Sequence, residues 1–272
     1  MVRSPVVEGQ FYPSDPDQLR SAIEKYTPDG GQREKVLGAL SPHAGYVFSG
    51  PTAGKVFAKA EVTPTVVVLN PSHNAFRPPC ALWSDGAWKT PLGTVELDEN
   101  LNAALAELDV VAPDDGPHLP EHSGEVVVPF LQYHRPDVKI VVICITPSAG
   151  KTEIQKLGNG IADCLKEQEK SDTLVVASSD MSHEQGRNAL ETVNEHDPIA
   201  IERMEQLAPE GLIEVCDEKD ITMCGVSPAA AMMISVEARG GSEGELVARA
   251  TSADSPQGRG NYVVGYAGMI FR

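Results

Sequence analysis

The sequence predicts an α/β fold: a single domain with a central mixed, mostly parallel sheet flanked by helices. Three observations point there. Short apolar, largely β-branched runs alternate with longer stretches of helical spacing, the pattern of buried parallel strands and their crossovers. Several of those runs stop at turns bearing histidine or aspartate, as ligand-binding loops do at the carboxyl edge of an open sheet. The 272 residues suffice for one large core, and no repeat, low-complexity tract or linker divides them.

Each element has its own signal. Residues 15–26 open on a capping aspartate, Asp15, and place Leu19, Ala22 and Ile23 at helical spacing, so they form the first helix, ended by a loop at Gly30 and Gly31. Residues 36–40 and 65–69 are buried strands bracketing a helix over 51–60, with Pro51 at its first position. Residues 75–96, with Pro78, Pro79, Trp83, Trp88 and Thr90-Pro-Leu-Gly93, read as an irregular excursion that walls one side of a pocket. A helix over 99–107, a loop over 113–124 and a helix over 125–133 follow. Residues 139–145 are a strand, 151–170 a helix and 173–177 a strand. Two long helices, 191–207 and 227–238, precede terminal strands at 245–252 and 262–271, whose connection through Gly258-Arg-Gly260 makes them antiparallel.

Composition narrows the partners. A formal net charge of -17 repels a nucleic-acid backbone or an anionic membrane surface, so neither is expected as a partner. The first twelve residues lack an apolar signal segment and no apolar run approaches the roughly 18 residues of a spanning helix, which predicts a soluble, cytoplasmic protein. The five cysteines, Cys80, Cys144, Cys164, Cys216 and Cys224, are odd in number and lack C-x-x-C spacing, as suits a reducing compartment. Cys144 and Cys164 fall on a strand and a helix as small core residues.

The chemistry gathers at the strand ends. His43 follows one strand in Ser41-Pro-His43, and His73 follows another in Asn70-Pro-Ser-His73. One such histidine is more often structural than a ligand; two at corresponding places favour a shared ion, provided the two strands are neighbours. Asp180 and His183 stand three apart in Ser178-Ser-Asp-Met-Ser-His183, where the carboxylate can fix an imidazole tautomer or touch a ligand while the histidine serves as a base. Capping of a following helix is the alternative for Asp180. His122 sits in a polar loop, Glu121-His-Ser123, and reads equally as a surface residue. Cys224 precedes a helix whose N-terminus is expected to lower the thiol pKa. Two imidazoles and a thiolate form a three-ligand site with open positions, and these residue types permit iron, copper or zinc. His118, His134 and His196 are expected to be solvated and without a role.

These segments carry a resemblance. In order, Gly9-Gln-Phe-Tyr-Pro13, Pro42-His-Ala-Gly-Tyr46 with Ser49-Gly50, Asn70-Pro-Ser-His73, Trp88-Lys-Thr-Pro-Leu-Gly93, Glu121-His-Ser123, Pro129-Phe-Leu-Gln132, Ser178-Ser-Asp180, Ser182-His183, Cys224-Gly225 and Gly265-Tyr-Ala267 resemble the Memo family over nearly the whole chain. That family is named for a mediator of cell motility, and its bacterial and archaeal members also occur in the AmmeMemoRadiSam system. The resemblance implies a fold similar to class III extradiol dioxygenases, in which two histidines and a glutamate hold iron(II) and another histidine moves a proton. Carried onto this chain, it implies His43, His73 and Cys224 as metal ligands, with Cys224 in place of the carboxylate. His183 then matches the acid/base histidine, and Asp180 and His122 line the same pocket.

The thiolate keeps the negative charge but softens the ligand set. Gly124 and Val127-Val128 stand where many relatives carry a bulkier residue and a glutamine, and Met181 and Glu184 where aromatics are usual; these differences are expected to alter the substrate wall. The expected function is therefore a dioxygenase-like redox enzyme acting on a small organic substrate, with iron(II) or else copper or zinc. The alternatives are a non-catalytic metal-binding or phosphopeptide-binding module, for which Arg77 and Lys89 are the nearest cations, and a zinc hydrolase. AMMECR1-like and radical S-adenosylmethionine proteins are the partners that the resemblance implies.

Overall fold

The computed structural model describes residues 1–28 and 33–272. Along the chain run β1 (Val2–Arg3), α1 (Pro16–Tyr26), β2 (Gly38–Ser41), α2 (Tyr46–Lys59), β3 (Thr65–Pro71), β4 (Cys80–Leu82), β5 (Ala87–Thr90), β6 (Gly93–Glu96), α3 (Glu99–Ala106) and β7 (Val111–Pro113). There follow α4 (Val128–His134), β8 (Lys139–Ile145), α5 (Lys151–Glu167), β9 (Leu174–Ser178), β10 (His183–Gln185), α6 (Ala189–Glu205), α7 (Pro209–Glu218), α8 (Val226–Ala238), β11 (Gly244–Thr251) and β12 (Tyr262–Phe271).

The large sheet runs β10-β12-β2-β9-β3-β8-β4-β7, with β11 also pairing to β12. Its centre, β2-β9-β3-β8, is parallel, and both flanks turn antiparallel, at β12 against β2 and at β4 against β8. The β11–β12 pair is antiparallel, as the glycine-bounded connection predicts. Alternate residues of the central strands face opposite ways, so each strand feeds two cores. Leu40, Val67, Leu69, Val141, Ile143 and Val175 pack with α3, α5, α7 and α8 on one face. Ala39, Val66, Val68, Ile140, Val142 and Val176 pack with α1, α2 and α4 on the other.

Several boundaries differ from the sequence expectation for identifiable reasons. Helix α2 begins at Tyr46, five residues before Pro51, which lies inside the helix. A proline there leaves the carbonyl one turn back without its amide donor. That carbonyl, on Val47, instead accepts a hydrogen bond from the Ser255 hydroxyl at 3.0 Å. Residues 75–96 are not an irregular excursion: they hold β4, which joins the large sheet, and β5 with β6, which form a small sheet with β1. Strands of three or four residues are too short to show alternation, and both tryptophans go into the core, Trp83 edge-on to Trp88 with centroids 6.0 Å apart. Helix α7 has no counterpart in the sequence expectation; Pro209 occupies its first turn, and Leu212, Val215 and Cys216 are its buried face. The Gly30-Gly31 loop lies outside the described residues. Among the described residues, no helix is long and apolar enough to cross a membrane.

Candidate metal centre

Strands β2, β9 and β3 lie side by side and parallel, so their carboxyl ends share one edge. His43 leaves β2, Asp180 leaves β9 and His73 leaves β3. The two histidine-bearing strands are therefore not neighbours, contrary to the condition set for a shared ion: β9 stands between them. The loops nevertheless bring the rings together, with His43 and His73 centroids 5.5 Å apart. His122 joins from the segment before α4, 5.6 Å from His43 and stacked at 4.9 Å on His73. Nitrogen atoms of these three imidazoles lie within 4.8 Å of one another, a spacing that one ion can span.

Outer partners set which nitrogen faces inward. Ser178 Oγ donates to the Ser123 carbonyl at 2.7 Å, which commits its single proton. The 2.8 Å contact between Ser178 Oγ and His43 Nδ1 is then donated by the ring, which leaves the lone pair of this imidazole on Nε2. His73 Nδ1 lies 2.8 Å from Glu121 Oε1, so this ring too presents Nε2. The same Glu121 carboxylate accepts the backbone N–H groups of His73 at 2.6 Å and of His122 and Ser123 at 3.0 Å.

Burial and charge reinforce the pattern. Desolvation, helped by the other two rings, holds His43 well below the ordinary imidazole pKa, which keeps it a neutral donor. The hydrogen bond to Glu121 raises His73, while desolvation lowers His122. His43 is buried, His122 half-buried and His73 exposed, so the cluster opens to solvent on the His73 side.

Cys224 enters from the segment before α8. Its Sγ is 3.4 Å from His43 Nε2 and 3.3 Å from the backbone N of Asp180, which donates to it. It stands outside the triad of histidines and shares only His43 with it. The expected lowering of its pKa is overturned: desolvation first, then the Asp180 carboxylate, pushes the thiol well above its ordinary range. Proximity to a helix N-terminus does not outweigh those two effects. A side chain at Gly225 has no room, because a Cβ there would come within 2.5 Å of the Ser178 carbonyl oxygen and of Ser179 Cβ.

Asp180 does not cap a helix, since β10 follows it. Its Oδ1 accepts the backbone N–H of His43 at 2.9 Å and of Ala44 at 3.3 Å, fastening the His43 turn across the sheet edge. His183 Nδ1 contacts the carbonyls of Met181 at 2.9 Å and Thr222 at 3.2 Å, which only accept; that ring also carries its proton on Nδ1 and leaves Nε2 available.

A model of the family described as Memo-like protein matches residues 3–270. A MEMO1 family protein of Methanopyrus kandleri is 40% identical over all of this chain and 99% of its own length. One from Aquifex aeolicus is 38% identical over 99% of each chain, and one from Archaeoglobus fulgidus 36% identical over the whole of both. The chain belongs to the Memo family.

Within this Memo chain, His43, His73, His122, Asp180 and Cys224 form one connected site through the contacts above. The expectation of solvated histidines fails here. His118 is not solvated: it is 1% exposed, with Nε2 3.0 Å from the Ala81 carbonyl. His134 and His196 are half-buried. Met181, Val127 and Val128 are buried core residues. Gly124 does bear on the site, because a Cβ there would lie 2.9 Å from Asn70 Oδ1 and 3.4 Å from Trp88. Sequence reasoning missed Ser178, Ser123 and Glu121 as supports; their only signal was adjacency to the histidine- and aspartate-bearing turns.

Proposed function

We propose that this Memo protein binds one metal ion at the strand-edge cluster and uses it for redox chemistry on a small hydroxylated organic molecule. The observation that supports the reading is the tautomer control: Ser178 and Glu121 engage the Nδ1 atoms of His43 and His73 from behind, which leaves Nε2 of each ring as the ligating nitrogen. This donor chemistry fits a resident metal. Iron(II) is the proposed ion, with His43, His73 and Cys224 as its protein ligands and copper or zinc as competitors. Bound iron(II) would supply electron transfer and a site for dioxygen.

The remaining roles belong to the chain. His183, protonated on Nδ1, offers Nε2 to take a proton from a substrate hydroxyl. Asp180 holds the His43 turn in place, and the His122 ring forms a wall against which the substrate is oriented. A cytoplasmic setting, with AMMECR1-like and radical S-adenosylmethionine proteins as partners, completes the proposal.

A second reading has its own observation in favour. Three clustered imidazoles are a donor set for zinc, which would activate water for hydrolysis. A phosphopeptide module finds less support, because the groups behind the imidazoles are a hydroxyl and the Glu121 carboxylate, and the latter repels phosphate.

Metal analysis of protein isolated from its native host tests both, followed by anaerobic iron(II) loading and oxygen uptake with a panel of catechols. Stoichiometric iron and metal-dependent uptake are expected. Zinc in the native protein with no uptake for any substrate would overturn the redox reading in favour of hydrolysis.

A further inference from the structure

The Gly9-Gln-Phe-Tyr-Pro13 motif has no part in the roles above, yet its side chains reach the site. We propose that residues 1–12 form a strap, anchored by the buried side chains of Arg3 and Tyr12, that sets the histidine cluster, with Arg3 as its positioning residue. The consequence for metal binding rests on the metal reading above; the geometry of the strap does not.

Arg3 is 1% exposed. Strand β1 pairs it with Trp88, and its guanidinium lies 4.2 Å over that ring. From there it grips the 118–125 segment at three points. Nε donates to the His118 carbonyl at 2.9 Å, Nη2 to the Glu121 carbonyl, and Nη1 to Glu125 Oε2 at 2.7 Å. Glu125 closes the strap on itself by accepting the backbone N–H groups of Val6 at 2.8 Å and Val7 at 3.0 Å, and the Tyr12 hydroxyl at 2.7 Å.

Two further contacts carry the strap into the cluster. The Phe11 ring meets His122 edge-on, centroids 5.1 Å apart, and the Phe11 carbonyl accepts the Tyr46 N–H at 2.7 Å, three residues beyond His43. The central grip matters most. Glu121, whose carbonyl Arg3 holds, is the residue whose carboxylate orients His73 and accepts the His122 N–H. A small shift of that backbone would move two of the three imidazoles together. The guanidinium reaches its three acceptors from three separate nitrogens fixed in one plane, whereas a lysine ammonium has all its donors on a single atom.

The test is Arg3→Lys, with Tyr12→Phe as a milder variant that keeps the buried ion pair and Leu105→Ala as a destabilised control in the opposite core. In metal-free protein with isotopically labelled histidine, the ring signals of His122 and His73 are followed by NMR and assigned by their loss in His122→Gln and His73→Gln. Both signals are expected to move in Arg3→Lys and, by less, in Tyr12→Phe, while Leu105→Ala leaves them in place. Cobalt(II) titration is expected to show affinity lower by about 10- to 100-fold in Arg3→Lys, the range for lost outer supports of a metal site. Its visible bands should shift toward those of His122→Gln. Ring signals that stay fixed in Tyr12→Phe and in any folded Arg3→Lys, or that move equally in Leu105→Ala, would overturn the strap. Failure of the wild-type protein to take cobalt would sink the metal reading alone, since the ring signals still decide the strap.

Discussion

Glu121 and Asp180 support one histidine cluster through different rings, Glu121 at His73 and Asp180 at the His43 turn, both buried and both accepting backbone N–H groups, yet their environments drive them in opposite directions. Desolvation disfavours the charge on each. At Glu121 the His73 imidazole and the N–H groups of His73 and Ser123 outweigh that cost and hold the carboxyl at about 2. At Asp180 the N–H groups of His43 and Ala44 offset desolvation only in part, and its pKa is raised. The lesson is that a buried carboxylate stays charged where a hydrogen-bonded imidazole and backbone donors together outweigh desolvation. One wall of the site is built around fixed charge, Glu121 with the Arg3–Glu125 pair; the other, with Asp180 and Cys224, is built around groups that resist ionising.

The largest effect should come from cutting the charged wall. Arg3 and Glu125 are each 1% exposed, and Glu125→Leu would leave a buried guanidinium with no counter-charge. Loss of about 3–5 kcal/mol is expected, the usual consequence of removing one partner of a buried pair. Urea unfolding of the metal-free protein at pH 7 measures it. A loss below about 1 kcal/mol would mean the pair contributes no more than a surface bridge, and the contrast between the walls would collapse.

His118 supplies the second test, because it is buried beside Arg3. Desolvation first, with Arg3 adding to it, lowers this histidine to about 4. The ordinary value is about 6.5, so the unfolded chain takes up this proton before the folded one does. The group therefore has no effect on stability above pH 6.5, weakens the fold progressively as pH falls toward 4, and adds no further loss below that. The integrated loss is about 3 kcal/mol, since each tenfold difference in proton affinity between the folded and unfolded chain is worth about 1.4 kcal/mol. Denaturant unfolding from pH 7.5 to 4 should show the slope, and His118→Gln should flatten it. An unchanged slope would place the acid sensitivity elsewhere.

These residues also mark where the sequence was legible. The order of α and β elements, the terminal antiparallel pair and the strand-end positions of His43, His73 and Asp180 follow from apolar periodicity and turn residues, which are local signals. Helix α7, the short strands β4 to β6 and the true start of α2 do not, because what fixes them is distant: Ser255 satisfies Val47, and Trp83 and Trp88 fill a core assembled from separate segments. The supports of the site were hidden for the same reason. Arg3 and Glu125 are 122 positions apart, and a lone arginine near a terminus reads as solvated until its partner is placed. His118 misled in the same way, since an acidic stretch of sequence says nothing about the fold of its backbone.

The smallest effect comes from near-isosteric changes, one on each wall. Glu121→Gln replaces an acceptor-only group by one whose NH2 must face either the His73 Nδ1–H and the His122 and Ser123 N–H groups or the His73 backbone N–H. Whichever way it turns, at least one buried donor meets another, and about 1–3 kcal/mol should be lost. Asp180→Asn is different. Its two N–H partners both use Oδ1, so an amide oxygen can replace that atom while the NH2 occupies the position of Oδ2. The wild-type carboxylate is already disfavoured there by desolvation, so its removal relieves one cost while weakening two hydrogen bonds. A net change within about 1 kcal/mol is expected. Parallel urea titrations of the two variants at pH 7, metal-free, give the comparison as a difference of midpoints. Equal losses would show that both walls depend on charge alike.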